Sequence, residues 1–126
     1  MNPEVTDATQ SPEILDALRA LGAVFVGRIP GYLTAMDEEI NKIESDNNDV
    51  EPLNTLHRQL HTIAGSAGSF GYTELGDRAR QCEHRINAAL KSLTPENPII
   101  DHQFFVEFIP ELRQFMQWIS VQFNVH

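Results

Sequence analysis

The chain has a single cysteine, Cys82, in 126 residues, so no internal disulfide can form. A domain of this size has to be held by its own core, and one unpaired thiol suits a reducing compartment. No run approaches the roughly 18 apolar residues of a membrane span. The opening MNPEVTDATQ also lacks the basic and apolar regions of a secretory signal. A soluble, cytoplasmic protein with no membrane partner is expected. Positive charge is scarce too, with 9 Lys and Arg against 18 Asp and Glu and a net charge of −9. Such a balance opposes binding to a phosphate backbone, so nucleic acid is excluded as the expected ligand and a partner with basic surface is favoured. Also missing are period-two alternation, an Asn-Gly hairpin signal, a glycine-rich nucleotide loop and kinase motifs. Neither β-structure nor autophosphorylation from ATP is expected.

What is present is helical periodicity. Ser11 is a suitable N-cap, Pro12 suits the first helical position, and Glu13 complements the positive helix end. Gly22 reads as the end of this first helix or a bend in it. Phe25, Ile29, Leu33, Met36, Ile40 and Ile43 then recur every three or four residues as the stripe of a second helix, with Pro30 implying a kink or a fresh start. The polar turn ESDNNDVEP follows, with the next helix expected to begin between Val50 and Leu53. Its stripe is Leu53, Leu56, Leu60, Ile63, Ala67 and Phe70, and Gly71 reads as a stop or sharp joint. Leu75, Ala79, Cys82, Ile86, Ala89 and Leu93 repeat the spacing until LTPENP breaks it. Phe104, Phe108, Leu112, Phe115, Ile119 and Gln122 mark a last helix, in which Pro110 again implies a kink or late start. The expected fold is therefore all-α, an antiparallel four-helix bundle with an additional N-terminal helix. It spans residues 11–126 behind a flexible segment 1–10, and it closes its own core as a monomer.

One stretch, LHRQLHTIAGSAGSFGY from Leu56 to Tyr72, departs from ordinary helix composition. Glycine inside a helix costs about 1 kcal/mol relative to alanine, and here Gly65 and Gly68 fall on consecutive turns. At about 100° per residue, with Leu56 at zero, the apolar direction lies near 10°. His57 then falls near 100°, Gly68 near 120°, His61 near 140°, Asn54 near 160° and Gly65 near 180°. His61 points away from the core, and the helix surface on the turns after it is stripped of side chains. That clearance suits a large partner bringing its own active site against the imidazole. The competing explanation for the glycines is close helix packing, with Ala64, Ser66 and Ala67 on the packing face.

The motif HTIAGSAGSFG resembles the phosphorylation motif of the histidine phosphotransfer (HPt) domain family of bacterial phosphorelays: a histidine, a glycine four residues on, small residues, and another glycine ten after the histidine. His61, Gly65 and Gly71 occupy those places. FVGRIPGYLTAMDEEI is similar to the family's second helix and LGDRARQCEHRI to its fourth. The resemblance implies that His61 is the phosphorylated residue, accepting a phosphoryl group from the aspartate of a receiver domain and passing it to another. Response regulators or hybrid sensor kinases would be the partners. It implies Mg²⁺ supplied by the receiver and no cofactor bound by this chain. Glu83, on the following helix, is the residue expected to orient the imidazole by accepting a ring N–H bond. Asn54, His57, Arg58, Gly65, Gly68 and Ser69, with apolar residues of neighbouring helices, form the expected partner surface, and Arg58 could reach the phosphoryl group. One place departs from the family pattern: Ala64 stands where many members have lysine. The chemistry agrees with the implied role, because an ordinary histidine, with a pKa near 6.5, is mostly neutral and nucleophilic at cytoplasmic pH.

Two other classes of function share these residues. His57 and His61 form an HxxxH pair, a spacing by which one helix face offers two imidazoles to zinc or copper, with Glu83 or His84 as further ligands. A non-catalytic module whose acidic surface binds a regulator is the third reading, and it gives His61 no task.

Overall fold

Helix α1 begins where the sequence signals it, with Pro12 in the first helical position after Ser11, and runs to Ser45. The computed structural model describes residues 11–125, so the expected flexible segment 1–10 and His126 lie outside the described residues. Three further helices follow: α2, Glu51–Ser69; α3, Thr73–Lys91; and α4, His102–Gln122. No strand occurs among the described residues, and one isolated bridge, Thr94 to Asn97, closes the turn before α4. The all-α four-helix bundle expected from the sequence is what forms. No helix among the described residues is long and apolar enough to cross a membrane.

The additional N-terminal helix is present, but fused to its successor. Residues 12–45 form one helix of 34 residues, about 51 Å long at 1.5 Å per residue. Gly22 does not end it. A Cβ there would lie 3.8 Å from the Phe70 ring, so the glycine sits under an aromatic side chain at ordinary contact distance within a continuing helix. Pro30 lies on the exposed face, where the backbone bond it removes faces solvent, and the Thr34 hydroxyl donates to the Pro30 carbonyl at 3.1 Å. Pro110 likewise sits exposed within a continuous α4, which is capped by the Asp101 side chain accepting from the Gln103 backbone N–H.

The core joins the stripes read from the sequence. Phe25, Ile29, Met36, Ile40 and Ile43 of α1 meet Leu53, Leu56, Leu60, Ile63 and Ala67 of α2. Leu75, Ala79 and Ile86 of α3 and Phe108, Leu112, Phe115 and Ile119 of α4 complete it. Only the second part of α1 contributes, and the half-exposed Leu15 and Leu18 of its first part lie with Gly22 over a hollow bordered by Ser69, Phe70 and Tyr72. Ion pairs brace the outside: Arg113 of α4 reaches Asp37 and Glu44 of α1, and Arg85 of α3 pairs with Glu111 of α4.

Two glycines set the relation of α2 to α3, the most extensively packed pair of helices. Gly71 has φ +84°, the left-handed conformation that favours glycine. The Tyr72 N–H donates to the Ala67 carbonyl at 2.9 Å and the Gly71 N–H to the Gly68 carbonyl at 3.4 Å. That pair of bonds is a Schellman end, which satisfies the last carbonyls of α2 and reverses the chain. Phe25 stacks on Phe70 and meets Tyr72 at a tilt, with ring centroids 5.9 Å apart in both pairs, and pins the reversal to α1. Gly76 then brings the backbones together: a Cβ on it would lie 3.4 Å from the Ala64 carbonyl oxygen and 3.6 Å from the Ala67 methyl.

Candidate functional site

Because α2 and α3 run antiparallel at close range, the residues two to three turns from the joint on each helix face one another. On α2 these are His57 and His61, and on α3 they are Arg80, Glu83 and His84. The His61 side chain is 75% exposed while that of Glu83 is 13% exposed. Nδ1 of His61 lies 2.8 Å from Oε2 of Glu83. A carboxylate accepts and cannot donate, so in the neutral imidazole the proton sits on Nδ1 and the lone pair on Nε2. The bond therefore fixes both the ring's orientation and its tautomer.

The same carboxylate oxygen lies 3.6 Å from Nε2 of His57, which is 29% exposed. His57 is thus the less exposed of the two imidazoles that flank Glu83. Beside His61 is an open hollow of about 210 Å³ lined by Ala64 and Gly65 of α2 and by Arg80, Glu83 and His84 of α3.

Among the described residues nothing packs on the bare strip. None of them approaches within 4 Å of where a Cβ would stand on Gly65 or Gly68, and both glycines are exposed. Close packing, the competing explanation, belongs instead to Gly76 with Ala64 and Ala67, which are buried. Of the other residues expected on the partner surface, Ser69 is exposed and its hydroxyl donates to the Gly65 carbonyl. Asn54 is half-buried and donates to Glu51. Arg58 is exposed, but its guanidinium donates to the Thr55 hydroxyl at 3.1 Å, and it does not line the hollow.

A scaffold of this kind belongs to a recognisable family. The Hpt domain family's sequence model matches residues 9–119. The chain belongs to the histidine phosphotransfer (Hpt) domain family. An Hpt domain has a phosphotransfer role in phosphorelays, in which it interacts with receiver domains. No solved structure matches the chain.

For the metal-binding alternative, an Hpt bundle with an HxxxH pair would need a third ligand. No group of three His, Cys, Asp or Glu side chains able to hold an ion occurs among the described residues. Glu83 already accepts from His61 and lies 3.6 Å from His57, and His84 lines the hollow beside it.

Gly76 and Arg80 were not legible as parts of this site from the sequence. Gly76 shares the small-residue register of Ala79, one turn on, which is a signal of close approach. Arg80 gave none, since its relevance depends on which residues of α2 lie opposite it.

Proposed function

We propose that this Hpt domain is a phosphorelay intermediate that takes a phosphoryl group from a receiver-domain aspartate onto Nε2 of His61 and passes it to the aspartate of another receiver. The observation that carries the reading is the exposed imidazole of His61 held at Nδ1 by the largely buried Glu83 carboxylate. A small enclosed substrate needs a pocket, whereas this imidazole stands open beside two uncovered turns of helix. That shape fits a macromolecular donor. The half-exposed Leu15 and Leu18 extend the strip past Ser69 and supply apolar contact area.

In the forward step the Nε2 lone pair forms the N–P bond as the P–O bond to the aspartyl carboxylate breaks, and the electron pair leaves with the aspartate. No proton is released. Nδ1 keeps its hydrogen, the ring becomes positively charged, and the Glu83 carboxylate 2.8 Å away offsets that charge. Transfer to the second receiver is the reverse, and Glu83 then favours neither direction through proton loss. Mg²⁺ brought by the receiver would supply charge neutralisation at the phosphoryl oxygens from the partner's side. Glu83 is thus a positioning residue, while His61 is the nucleophile.

The test is incubation with a receiver domain charged by a small phosphodonor and Mg²⁺, following acid-labile, base-stable label. Wild type is expected to take the label and His61→Gln to take none. Glu83→Ala is expected to slow transfer by about 5- to 10-fold, the loss of roughly 1 kcal/mol from a charge-assisted bond in an open site. In ¹⁵N spectra it should also release the Nδ1–H tautomer. Label on His61→Gln would move the acceptor elsewhere, and no label on wild type from several receivers would discard the phosphorelay reading.

A further inference from the structure

A phosphoryl group on His61 brings about two negative charges into a chain whose net charge is already −9. Beside His61, α2 contributes only Ala64 and Gly65 to the hollow, neither of which can meet those charges. Most of the chain's cations near this end of the bundle are committed elsewhere. Arg58 donates to Thr55. Arg78 donates twice to Glu74 and lies 4.4 Å from the centroid of the Trp118 ring, on the α4 side of α3. Arg85 pairs with Glu111 and lies over Phe104 and Phe108.

Arg80 differs from all of these. It lines the hollow with His61, its side chain is 48% exposed, and its ion pair is a single 3.5 Å approach to Asp77 within the same helix. Exposed pairs of that kind contribute about 0–1 kcal/mol, so an anion in the hollow can compete for the guanidinium. Arginine is suited to the task because its planar fork matches two phosphoryl oxygens at once.

We propose that Arg80 is the phosphoryl-binding residue of this site, its guanidinium exchanging Asp77 for the oxygens of the group on Nε2 of His61. The inference rests on the phosphorelay reading and adds to it the cation that the His61 helix does not provide. Arg80 keeps its proton throughout and forms no covalent bond. It offsets charge on the equatorial oxygens while the N–P bond forms, so it acts on the chemistry and not on partner docking.

The probe that separates those two is phosphoramidate, a small donor able to phosphorylate an imidazole with no receiver present. Rates of His61 labelling are compared for wild type, Arg80→Ala, Arg80→Lys and Asp77→Asn. Arg80→Ala is expected to be slower by about tenfold, less than the 10²–10³ of a buried oxyanion donor because the hollow is open. Arg80→Lys should recover part of the loss. Asp77→Asn, which frees the guanidinium, should label at least as fast as wild type. Since Arg80 and Asp77 are exposed, unfolding midpoints should be unchanged. If Arg80→Ala labels at the wild-type rate, or if Asp77→Asn is as slow as Arg80→Ala, the assignment of Arg80 is overturned while the role of His61 stands. If wild type takes no label from phosphoramidate or from receivers, both fall together.

Discussion

Replacing Gly65 and Gly68 separates what the helix needs from what its partner needs. Both glycines lie inside α2, and a Cβ on either meets nothing within 4 Å. Alanine is therefore free of strain at both places, and each change should stabilise the fold by about 0.5–1 kcal/mol, part of it through a less flexible unfolded chain. The double variant Gly65→Ala, Gly68→Ala should gain about 1–2 kcal/mol. In a domain of this length that raises the unfolding midpoint by roughly 4–8 °C. Gly68→Gln, carrying a good helix former, should also be more stable than wild type. Its side chain, however, projects into the space where a receiver lies on the proposed reading, and Gly68 does not line the hollow beside His61. Transfer from a phosphorylated receiver should fall at least about tenfold, equivalent to 1.4 kcal/mol of lost docking, while labelling by phosphoramidate stays within about twofold. Thermal unfolding and the two transfer assays on the same samples read all three quantities. A lower midpoint for the alanine variants would refute the open-surface argument, and wild-type transfer by Gly68→Gln from a receiver would refute the docking argument.

Two further perturbations probe the frame around the site. Gly76→Val would place methyl groups against the Ala64 carbonyl and the Ala67 methyl, where a bare Cβ already stands at 3.4 Å and 3.6 Å. The expected loss is about 1–3 kcal/mol from overpacking, with the His61 to Glu83 bond broken as α3 is pushed away. Chemical denaturation together with ¹⁵N imidazole shifts would show it, and an unchanged midpoint would mean that the helices do not meet as described. Cys82 is half-buried, and burial, then the Glu111 carboxylate, push its thiol from 9.0 up to about 11, with Arg85 opposing. At pH 8 it should present about a hundredfold less thiolate than an ordinary thiol and alkylate slowly with iodoacetamide. Because the unfolded chain loses this proton first, the contribution to stability is intact below pH 9 and declines as pH rises towards about 11. Alkylation at the free-thiol rate, followed by mass spectrometry, would contradict the burial.

The four helices were legible because their stripes are long and regular, and His61 because its angular position on α2 follows from spacing alone. Glu83 was reachable through the family pattern, and it does face the imidazole. The fusion of the first two expected helices was not legible. A glycine and a proline both read as breaks by local preference, but Phe70, about 50 residues on, covers Gly22, and Pro30 falls on the solvent side. These are tertiary facts. Arg58 and Arg80 show the same limit: a wheel places Arg58 near His61, yet it turns to Thr55, and the hollow takes its cation from the neighbouring helix.

The division of labour between α2 and α3 explains why so much of the arrangement depends on their joint. His61 and the uncovered glycines lie on one helix, and Glu83 and Arg80 on the other, so the 2.8 Å hydrogen bond between His61 and Glu83 depends on the register of the two helices. The Schellman end at Gly71, the contact at Gly76 and the Phe25, Phe70 and Tyr72 cluster fix that register from one side. Pre-set geometry of this kind suits the proposed transfer between receivers. On the proposed reading the domain need not close around its substrate, because the imidazole is already aimed and the receiver would supply the rest. An exposed histidine on a single isolated helix would have the same chemistry without the orientation, and the close packing of α2 on α3 is what makes the difference.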